Sequence, residues 1–172
     1  PVTTEYKNAA SQISETIKAV NDVSENGMQI IWLWPNVDAG SDIVAKTIRI
    51  YINNNNPQNI SFYKNFSPED YAVILNNSKC IIGNSSSGLR EGAYLGVPCV
   101  NIGSRQRGRE RAKNVIDVDY NSDLIKDAIK YQVAHGKYDR SHLVGDGKAG
   151  LKIAKILAKA DLNINKTINY IK

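Results

Sequence analysis

The spacing of apolar residues alternates along the chain between a helical period and nearly continuous apolar runs. Over residues 4–26 apolar side chains recur every three or four positions, which predicts a helix ending at Asn26-Gly27. Residues 28–34 are almost all apolar, which is typical of a strand buried on both faces. The same criteria predict further helices over 41–52, 67–77, 88–95, 121–134 and 148–160, and strands over 60–63, 80–82, 99–102 and 115–118.

Two of these helices have a serine at the predicted N-terminus. Ser67 precedes Pro68 and two acidic residues, so its hydroxyl would cap the helix and the acids would lie in the first turn. Ser41 is predicted to cap the helix over 41–52. Because the strands alternate with helices, the chain is predicted to be an α/β domain with a Rossmann-like parallel sheet and helices on both faces.

Length and composition are those of one globular domain. The 172 residues are 42% hydrophobic, and no apolar run approaches the roughly 18 residues that a membrane span needs. The first residues show no signal-peptide pattern, so we expect a cytoplasmic protein with no membrane partner. Because the chain opens on Pro1, we expect residues 1–172 to be one lobe of a longer protein, with 161–172 as a tail that frays.

The two cysteines, Cys80 and Cys99, are too few for a disulfide framework and lack the spacing of a metal site. Both lie in apolar runs, which is typical of buried and unreactive thiols. We therefore expect reduced cysteines in the core and no metal ion.

The net charge of +5 leaves three kinds of anionic partner open: nucleic acid, an anionic surface and an anionic small molecule. The basic residues are concentrated in residues 105–113, with Arg90 shortly before them. Recognition of RNA requires aromatic side chains among the basic ones, and residues 103–117 contain none. No nucleic acid is therefore expected, and the charge alone leaves an anionic surface and a small anion open.

Three strand-to-helix connections are rich in polar residues, namely 35–41, 83–88 and 103–110. In a parallel sheet such connections all open on the carboxyl edge, where ligands bind. We therefore predict a ligand site at this edge. Asn36 and Asp38 in the first connection are candidate hydrogen-bonding groups, although Asn and Asp are also common turn formers.

The segment 83–88, Gly-Asn-Ser-Ser-Ser-Gly, suits a phosphate or diphosphate, because backbone N–H groups and three hydroxyls meet at a helix start. These hydroxyls belong to Ser85, Ser86 and Ser87. The segment is not a P-loop, since Leu-Arg follows it, and it lacks the glycine spacing of a dinucleotide site. The only two histidines lie far downstream, which argues against a Ser-His hydrolase. The alternative is an ordinary serine-capped helix, but three consecutive serines favour anion binding.

Two charged residues fit the same site. Glu91 follows Ser87 by four residues, on the same face of the predicted helix, where its carboxylate can accept both hydroxyls of a ribose. The alternative is an acid that stabilises the helix N-terminus. Arg105, at the exit of the strand over 99–102, can clamp a phosphate bidentately. For most other arginines of the run we favour a solvated helix face with Glu110 interspersed.

These residues together resemble the C-terminal lobe of hydrolysing UDP-N-acetylglucosamine 2-epimerases, of the type that initiates sialic acid and related nonulosonate synthesis. The resemblance is carried by residues 1–5, 34–40, 80–91, 96–98 and 101–109. It implies one lobe of the two-lobed GT-B architecture, which holds the nucleotide, and a homodimer in the full-length protein. It also implies UDP-sugar contacts for this set of residues: Ser85, Ser86 and Ser87 at the diphosphate, Glu91 at the ribose, Arg105 and Asn36 at the phosphate or sugar, and the backbone near Phe66 at the uracil.

The implied reaction eliminates UDP across C1 and C2 of the sugar to give a glycal, and hydration then releases N-acetylmannosamine. The substrate would be UDP-N-acetylglucosamine or a diacetamido relative, and no cofactor is implied. The acid and base groups of the family lie mostly in the other lobe, and a functional His would precede Pro1, so we predict that the isolated chain is inactive. Two alternatives stay open: a GT-B glycosyltransferase lobe and a non-catalytic nucleotide-binding module.

Overall fold

The computed structural model describes residues 2–161, so the tail predicted over 161–172 lies almost wholly outside the described residues. A 3₁₀ turn at Thr3–Asn8 comes first. The helices are α1 (Ala9–Glu25), α2 (Ser41–Asn55), α3 (Pro68–Asn77), α4 (Ser86–Leu89), α5 (Glu91–Leu95), α6 (Ser122–His135) and α7 (Ala149–Leu157). The strands are β1 (Ile30–Leu33), β2 (Ile60–Tyr63), β3 (Ile81–Gly83), β4 (Cys99–Ile102) and β5 (Val115–Val118).

All strand pairs are parallel, as predicted, but the strands form two sheets rather than one. β1 pairs with β2, with Ile30 opposite Ile60. The second sheet has the order β3-β4-β5, with Ile81 opposite Cys99 and Cys99 opposite Val115. The two sheets share one hydrophobic core, since side chains of β1 and β3 both pack against the same buried cluster. The carboxyl ends of the strands within each sheet therefore lie at a common edge.

Helices cover both faces of the three-stranded sheet. Val100 and Ile102 of β4 pack in one cluster with side chains of α1 and α6, including Val23 and Ile129. Cys99 alternates to the opposite face, where α4 lies against it at Gly88. All four residues of β4 are buried because this strand is central and covered on both faces. A second cluster joins α1 and α2 to aromatic side chains of β1 and β2.

Two predicted helix starts differ from the structure. The predicted helix over 4–26 begins as a 3₁₀ turn in which Glu5 is not helical (φ −122°, ψ 18°), and α1 starts only at Ala9. The prediction that Ser41 caps α2 is wrong, because Gly40 takes the cap position with a left-handed backbone (φ 84°) and Ser41 is already helical. The Ser67 cap is confirmed, since its hydroxyl accepts a hydrogen bond from the Asp70 N–H at 3.1 Å.

The single helix predicted over 88–95 is two short helices. α4 already begins at Ser86, and the chain breaks at Arg90 (φ −106°, ψ −80°) before α5. Glycines allow close approach on both sides of the break, at Gly88 against β4 and at Gly92 against the Ser87 carbonyl. The predicted polar connection 83–88 therefore shrinks to Asn84 and Ser85.

The expectation of core thiols is confirmed for both cysteines. Cys99 is buried and Cys80 is half-buried, and both are free. Burial raises the pKa of the Cys80 thiol to about 12 and also raises the pKa of the Cys99 thiol. Both side chains are therefore neutral, apolar packing groups at physiological pH.

Candidate functional site

The serine segment lies at the carboxyl edge, directly after β3. The Ser85 hydroxyl caps α4 by accepting a hydrogen bond from the Ser87 N–H at 3.2 Å. A hydroxyl that accepts one bond still has its own hydrogen to donate, so capping leaves Ser85 able to bind an anion. Because α4 has only four residues, its aligned peptide dipoles add less than the longer helix predicted from the sequence would.

The hydroxyl of Ser87 turns to the neighbouring helix α3. It accepts a hydrogen bond from the Tyr71 hydroxyl at 2.8 Å. Tyr71 lies in α3, the helix that begins at the Ser67 cap. This contact ties α3 to α4 and gives Ser87 a structural partner that Ser85 and Ser86 do not share among the described contacts.

Arg105 joins the three polar connections that were predicted to meet. It follows β4, and its Nη1 donates to the Asn84 carbonyl at 3.0 Å, just before the serines. Its Nη2 lies 4.0 Å from a carboxylate oxygen of Asp38, in the connection after β1. The guanidinium is partly exposed and faces an open cavity. The prediction that the connections converge at one edge of the fold is thus confirmed, with Arg105 at their junction.

The cavity beside Arg105 has a volume of about 450 Å³ and is lined by charged and polar groups that include Glu5, Asp38, Ser104 and Arg107. Glu5 accepts hydrogen bonds from the Ser104 hydroxyl and from Gln12 Nε2, the latter at 2.7 Å. These two hydrogen bonds lower the pKa of Glu5, and Arg107 adds a smaller effect in the same direction. The cavity therefore holds two arginines whose charge is partly balanced by carboxylates.

Gln106 is buried beneath the same junction. Its Nε2 donates to the Asn84 carbonyl at 2.7 Å, so this carbonyl receives two side-chain donors. The Gln106 carbonyl in turn accepts a hydrogen bond from Arg111 Nη2 at 3.0 Å. Gln106 therefore fixes the segment before the serines to the connection after β4.

The basic run is not a helix, so that part of the prediction is wrong, but the predicted solvation is confirmed for Arg107 and Arg109. Residues 103–114 form turns, and Arg111 is held by a bidentate ion pair with Asp117 of β5, at 2.6 and 3.1 Å. Burial pushes the pKa of Asp117 upward, but hydrogen bonds from Arg111 and from Asn101 outweigh it, so the pKa of Asp117 is lowered. Arg111 is thus a structural residue, while Arg107 and Arg109 remain exposed.

Three other predicted site residues make no side-chain contact to Arg105 among the described contacts. Asn36 is exposed, and it is its neighbour Asp38 that reaches Arg105. Phe66 packs its ring against Tyr63, with the ring centroids 4.9 Å apart. Glu91 is exposed at the start of α5, and the break at Arg90 interrupts the single helix on which Glu91 and Ser87 were predicted to share a face.

The sequence and the fold of the chain match known proteins. A family model described as UDP-N-acetylglucosamine 2-epimerase matches residues 1–158 of the chain. The chain belongs to the UDP-N-acetylglucosamine 2-epimerase family. This confirms the resemblance drawn from the sequence motifs.

Among relatives in this epimerase family, UDP-N,N'-diacetylbacillosamine 2-epimerase (hydrolyzing) of Legionella pneumophila is 33% identical over 173 residues, which cover 99% of this chain and 44% of that protein. UDP-N-acetylglucosamine 2-epimerase of Neisseria meningitidis is 31% identical, over 86% of this chain and 37% of that protein. The chain therefore spans less than half the length of these relatives.

The solved UDP-GlcNAc 2-epimerase of Methanocaldococcus jannaschii, in complex with UDP-GlcNAc and UDP, aligns with 87% of this chain and 41% of its own at a TM-score of 0.69. The sequence identity is 17%, so this likeness bears on the fold alone. It confirms the predicted α/β fold class for this family member.

Three residues that contact the candidate site were not singled out from the sequence of this epimerase-family chain. Glu5 and Gln106 both lie in segments that carried the resemblance, but no spacing rule assigns them a contact. Tyr71 lies on a helix face that the pattern marks only as amphipathic. Within residues 2–161, His, Cys, Asp and Glu side chains form no cluster that could hold a metal ion. None of the helices in this range has the length and apolar character of a membrane span.

Proposed function

We propose that residues 1–172 form the C-terminal, nucleotide-binding lobe of a hydrolysing UDP-N-acetylglucosamine 2-epimerase. The observation that carries the proposal is the position of Arg105, which joins the segment before the serines to the connections after β1 and β4. A cationic, partly exposed side chain at the carboxyl edge of a parallel sheet is placed to bind a phosphate group. The names of the relatives support a UDP-linked acetamido sugar as the substrate.

In this proposal the diphosphate of UDP lies between Arg105 and the hydroxyls of Ser85 and Ser86. Ser87 completes this segment and keeps it against α3 through Tyr71. Arg105 then exchanges a hydrogen bond to a neutral carbonyl for hydrogen bonds to negatively charged phosphate oxygens, which are stronger because both partners are ionised.

Three residues at the periphery would contact the rest of the substrate. Glu91 would accept the hydroxyls of the ribose, Asn36 would approach the sugar or phosphate, and the backbone near Phe66 would meet the uracil. Glu91 and Asn36 are exposed, so each can reach a ligand without breaking a packing contact in the described chain.

In the proposed reaction a proton leaves C2 of the sugar and the bond from C1 to UDP breaks, which forms the C1–C2 double bond of a glycal. Water then adds across this double bond. Negative charge grows on the diphosphate as UDP leaves, so a cation at the diphosphate stabilises the transition state more than the ground state. This chain would therefore bind and orient UDP and assist its departure. The groups that move protons at the sugar would belong to the rest of the protein, beyond this chain.

Calorimetry of the 172-residue chain with UDP, and with ADP as the base control, tests the proposal. A charge-assisted hydrogen bond contributes about 1.5–3 kcal/mol, so Arg105→Gln should weaken UDP binding roughly 10- to 100-fold. Arg109→Gln is the matched control, because it removes the same charge from an exposed residue of the same run. Equal losses for the two variants, or equal affinity for UDP and ADP, would contradict a specific UDP site.

The activity is tested with the full-length protein and UDP-N-acetylglucosamine in the absence of an acceptor. Release of UDP together with N-acetylmannosamine supports a hydrolysing epimerase. UDP release that depends on an added sugar acceptor would identify a glycosyltransferase instead. UDP binding without turnover would identify a nucleotide-binding module.

A further inference from the structure

A second cavity lies at the opposite edge of the three-stranded sheet. It has a volume of about 730 Å³ and is formed by residues 111–114, which immediately precede β5, and residues 135–143, which follow α6. Because β5 begins at Val115, this is the amino edge, whereas Arg105 and the serines lie at the carboxyl edge. The cavity is therefore separate from the proposed UDP site, and its volume is within the usual range for small-molecule sites, about 300–1,000 Å³.

The lining of this amino-edge cavity is strongly basic. Asp139 is the only carboxylate among the described lining residues. Both histidines of the chain are in the lining. The basic residues around the cavity are Arg111, Lys113, His135, Lys137, Arg140 and His142.

Aromatic rings hold several of these basic groups in place. The Arg140 guanidinium lies over the Tyr94 ring, 5.8 Å from its centroid, and His142 meets the same ring edge-on with centroids 5.6 Å apart. His135 stacks on Tyr138, with centroids 3.9 Å apart and planes 10° apart. These contacts restrict the side chains, so less conformational entropy is lost when they bind a ligand.

Two of the four lysine and arginine side chains at the cavity already have partners within the protein. Arg111 is paired with Asp117, and Lys137 donates to the Asn76 carbonyl at 2.6 Å and to the Leu95 carbonyl at 3.3 Å. Lys113 and Arg140 form no salt bridge to a described carboxylate. Two uncompensated cations at one concave surface favour an anion that accepts several hydrogen bonds.

We propose that the amino-edge cavity binds a small phosphate-bearing anion, independently of the UDP site. A phosphate group offers oxygens to Lys113 and Arg140 together, and the neighbouring imidazoles add N–H donors. A small anion fits better than a nucleic acid because the basic groups converge on one cavity instead of following a strip along the surface.

The two histidines provide a selective reporter, since no other histidine exists in the chain. We would follow the Cε1–H proton signals of His135 and His142 by NMR at constant pH 7.5 while titrating inorganic pyrophosphate into the 172-residue chain. A parallel titration with inorganic phosphate tests whether the site requires a diphosphate. A second one with UDP tests whether a nucleoside strengthens binding. Sodium chloride at equal ionic strength is the salt control.

The expected result is a saturable shift of the histidine signals by pyrophosphate, with at least fivefold weaker apparent affinity in Arg140→Gln and in Lys113→Gln. Lys46→Gln, which removes a charge from an exposed position on α2 outside the cavity, should change the affinity less than twofold. Equal weakening by Lys46→Gln, or shifts no larger than those in sodium chloride, would refute a built anion site.

The same titration separates this inference from the proposed function. Pyrophosphate that shifts only the backbone amides of Ser85–Ser87 binds at the carboxyl edge, which overturns the amino-edge site and supports the UDP site. Histidine shifts without changes at the Ser85–Ser87 amides support the amino-edge site and count against the proposed UDP site. Binding of RNA oligomers that strengthens with their length and falls steeply with salt would show a polyanion surface instead and overturn the proposal.

Discussion

Gly88→Ala has two opposing effects on stability: a gain in helix propensity and a loss from steric overlap. The structure indicates which of the two is larger. Gly88 lies inside α4, where alanine is intrinsically more favourable than glycine by about 1 kcal/mol. However, a Cβ at Gly88 would come closer than 3.0 Å to Cys99 Sγ and would lie 3.3 Å from Ile81 Cγ2. Both neighbours belong to the three-stranded sheet, so α4 would have to move away from it.

Overpacking of this kind typically costs about 1–3 kcal/mol. The short α4 gains at most the intrinsic 1 kcal/mol from propensity, so we expect Gly88→Ala to lower the free energy of unfolding by about 1–2 kcal/mol. The Cys99 sulfur is the main obstacle. In a Cys99→Ala background the new methyl group would occupy space that the sulfur has vacated, and Gly88→Ala should become neutral or stabilising.

The assay is urea unfolding of the four proteins of this double-mutant cycle, followed by circular dichroism at one protein concentration. Gly150→Ala in α7 is the control, since no heavy atom lies within 4 Å of a Cβ built there, so it should leave the stability unchanged or raise it by up to about 1 kcal/mol. The reasoning is refuted if Gly88→Ala stabilises the parent chain. It is also refuted if Gly88→Ala costs the same with and without the Cys99 sulfur.

Three further outcomes are expected. Asp117→Asn should lower the urea midpoint at pH 7, because it removes the ion pair with Arg111. The pKa of Asp117 is lowered in the folded state, so this loss of stability should shrink as the pH falls below about 4. A loss that does not change with pH would contradict the ion pair. Ser67→Ala should cost about 0.5–2 kcal/mol in the same assay, whereas no loss would contradict the cap. Cys80 and Cys99 should react with a thiol reagent at pH 8 only upon unfolding, since burial raises both pKa values, and fast labelling of the native chain would disprove this.

The bounds of strands were predicted well from the sequence where the strand is a short run of mostly apolar residues. β4 and β5 have the predicted bounds because each is a short run rich in apolar residues between turn residues. The start of α3 followed from local chemistry, since the Ser67 cap needs only the N–H groups of its own first turn. The alternation of these elements led to the parallel α/β fold without any long-range information.

Contacts between distant segments could not be derived in this way. The bond from Gln106 to the Asn84 carbonyl joins residues 22 apart, and Gln106 lies among arginines whose pattern predicts a solvated surface. The break at Arg90 and the close approach of Gly88 to β4 are features of tertiary packing, which the periodicity of the sequence does not encode. The serines and Arg105 were predicted from residue type, but the groups that position them were not.

The two donors on the Asn84 carbonyl have a consequence for ligand exchange. A carbonyl oxygen has two lone pairs, and here the protein supplies a partner for each, one from a buried amide and one from a partly exposed guanidinium. If an anion bound at the proposed site drew Arg105 away, Gln106 would keep its hydrogen bond and hold the backbone in place. The loop would then keep its shape while the arginine left and returned, so a ligand would enter and leave without refolding the edge of the sheet.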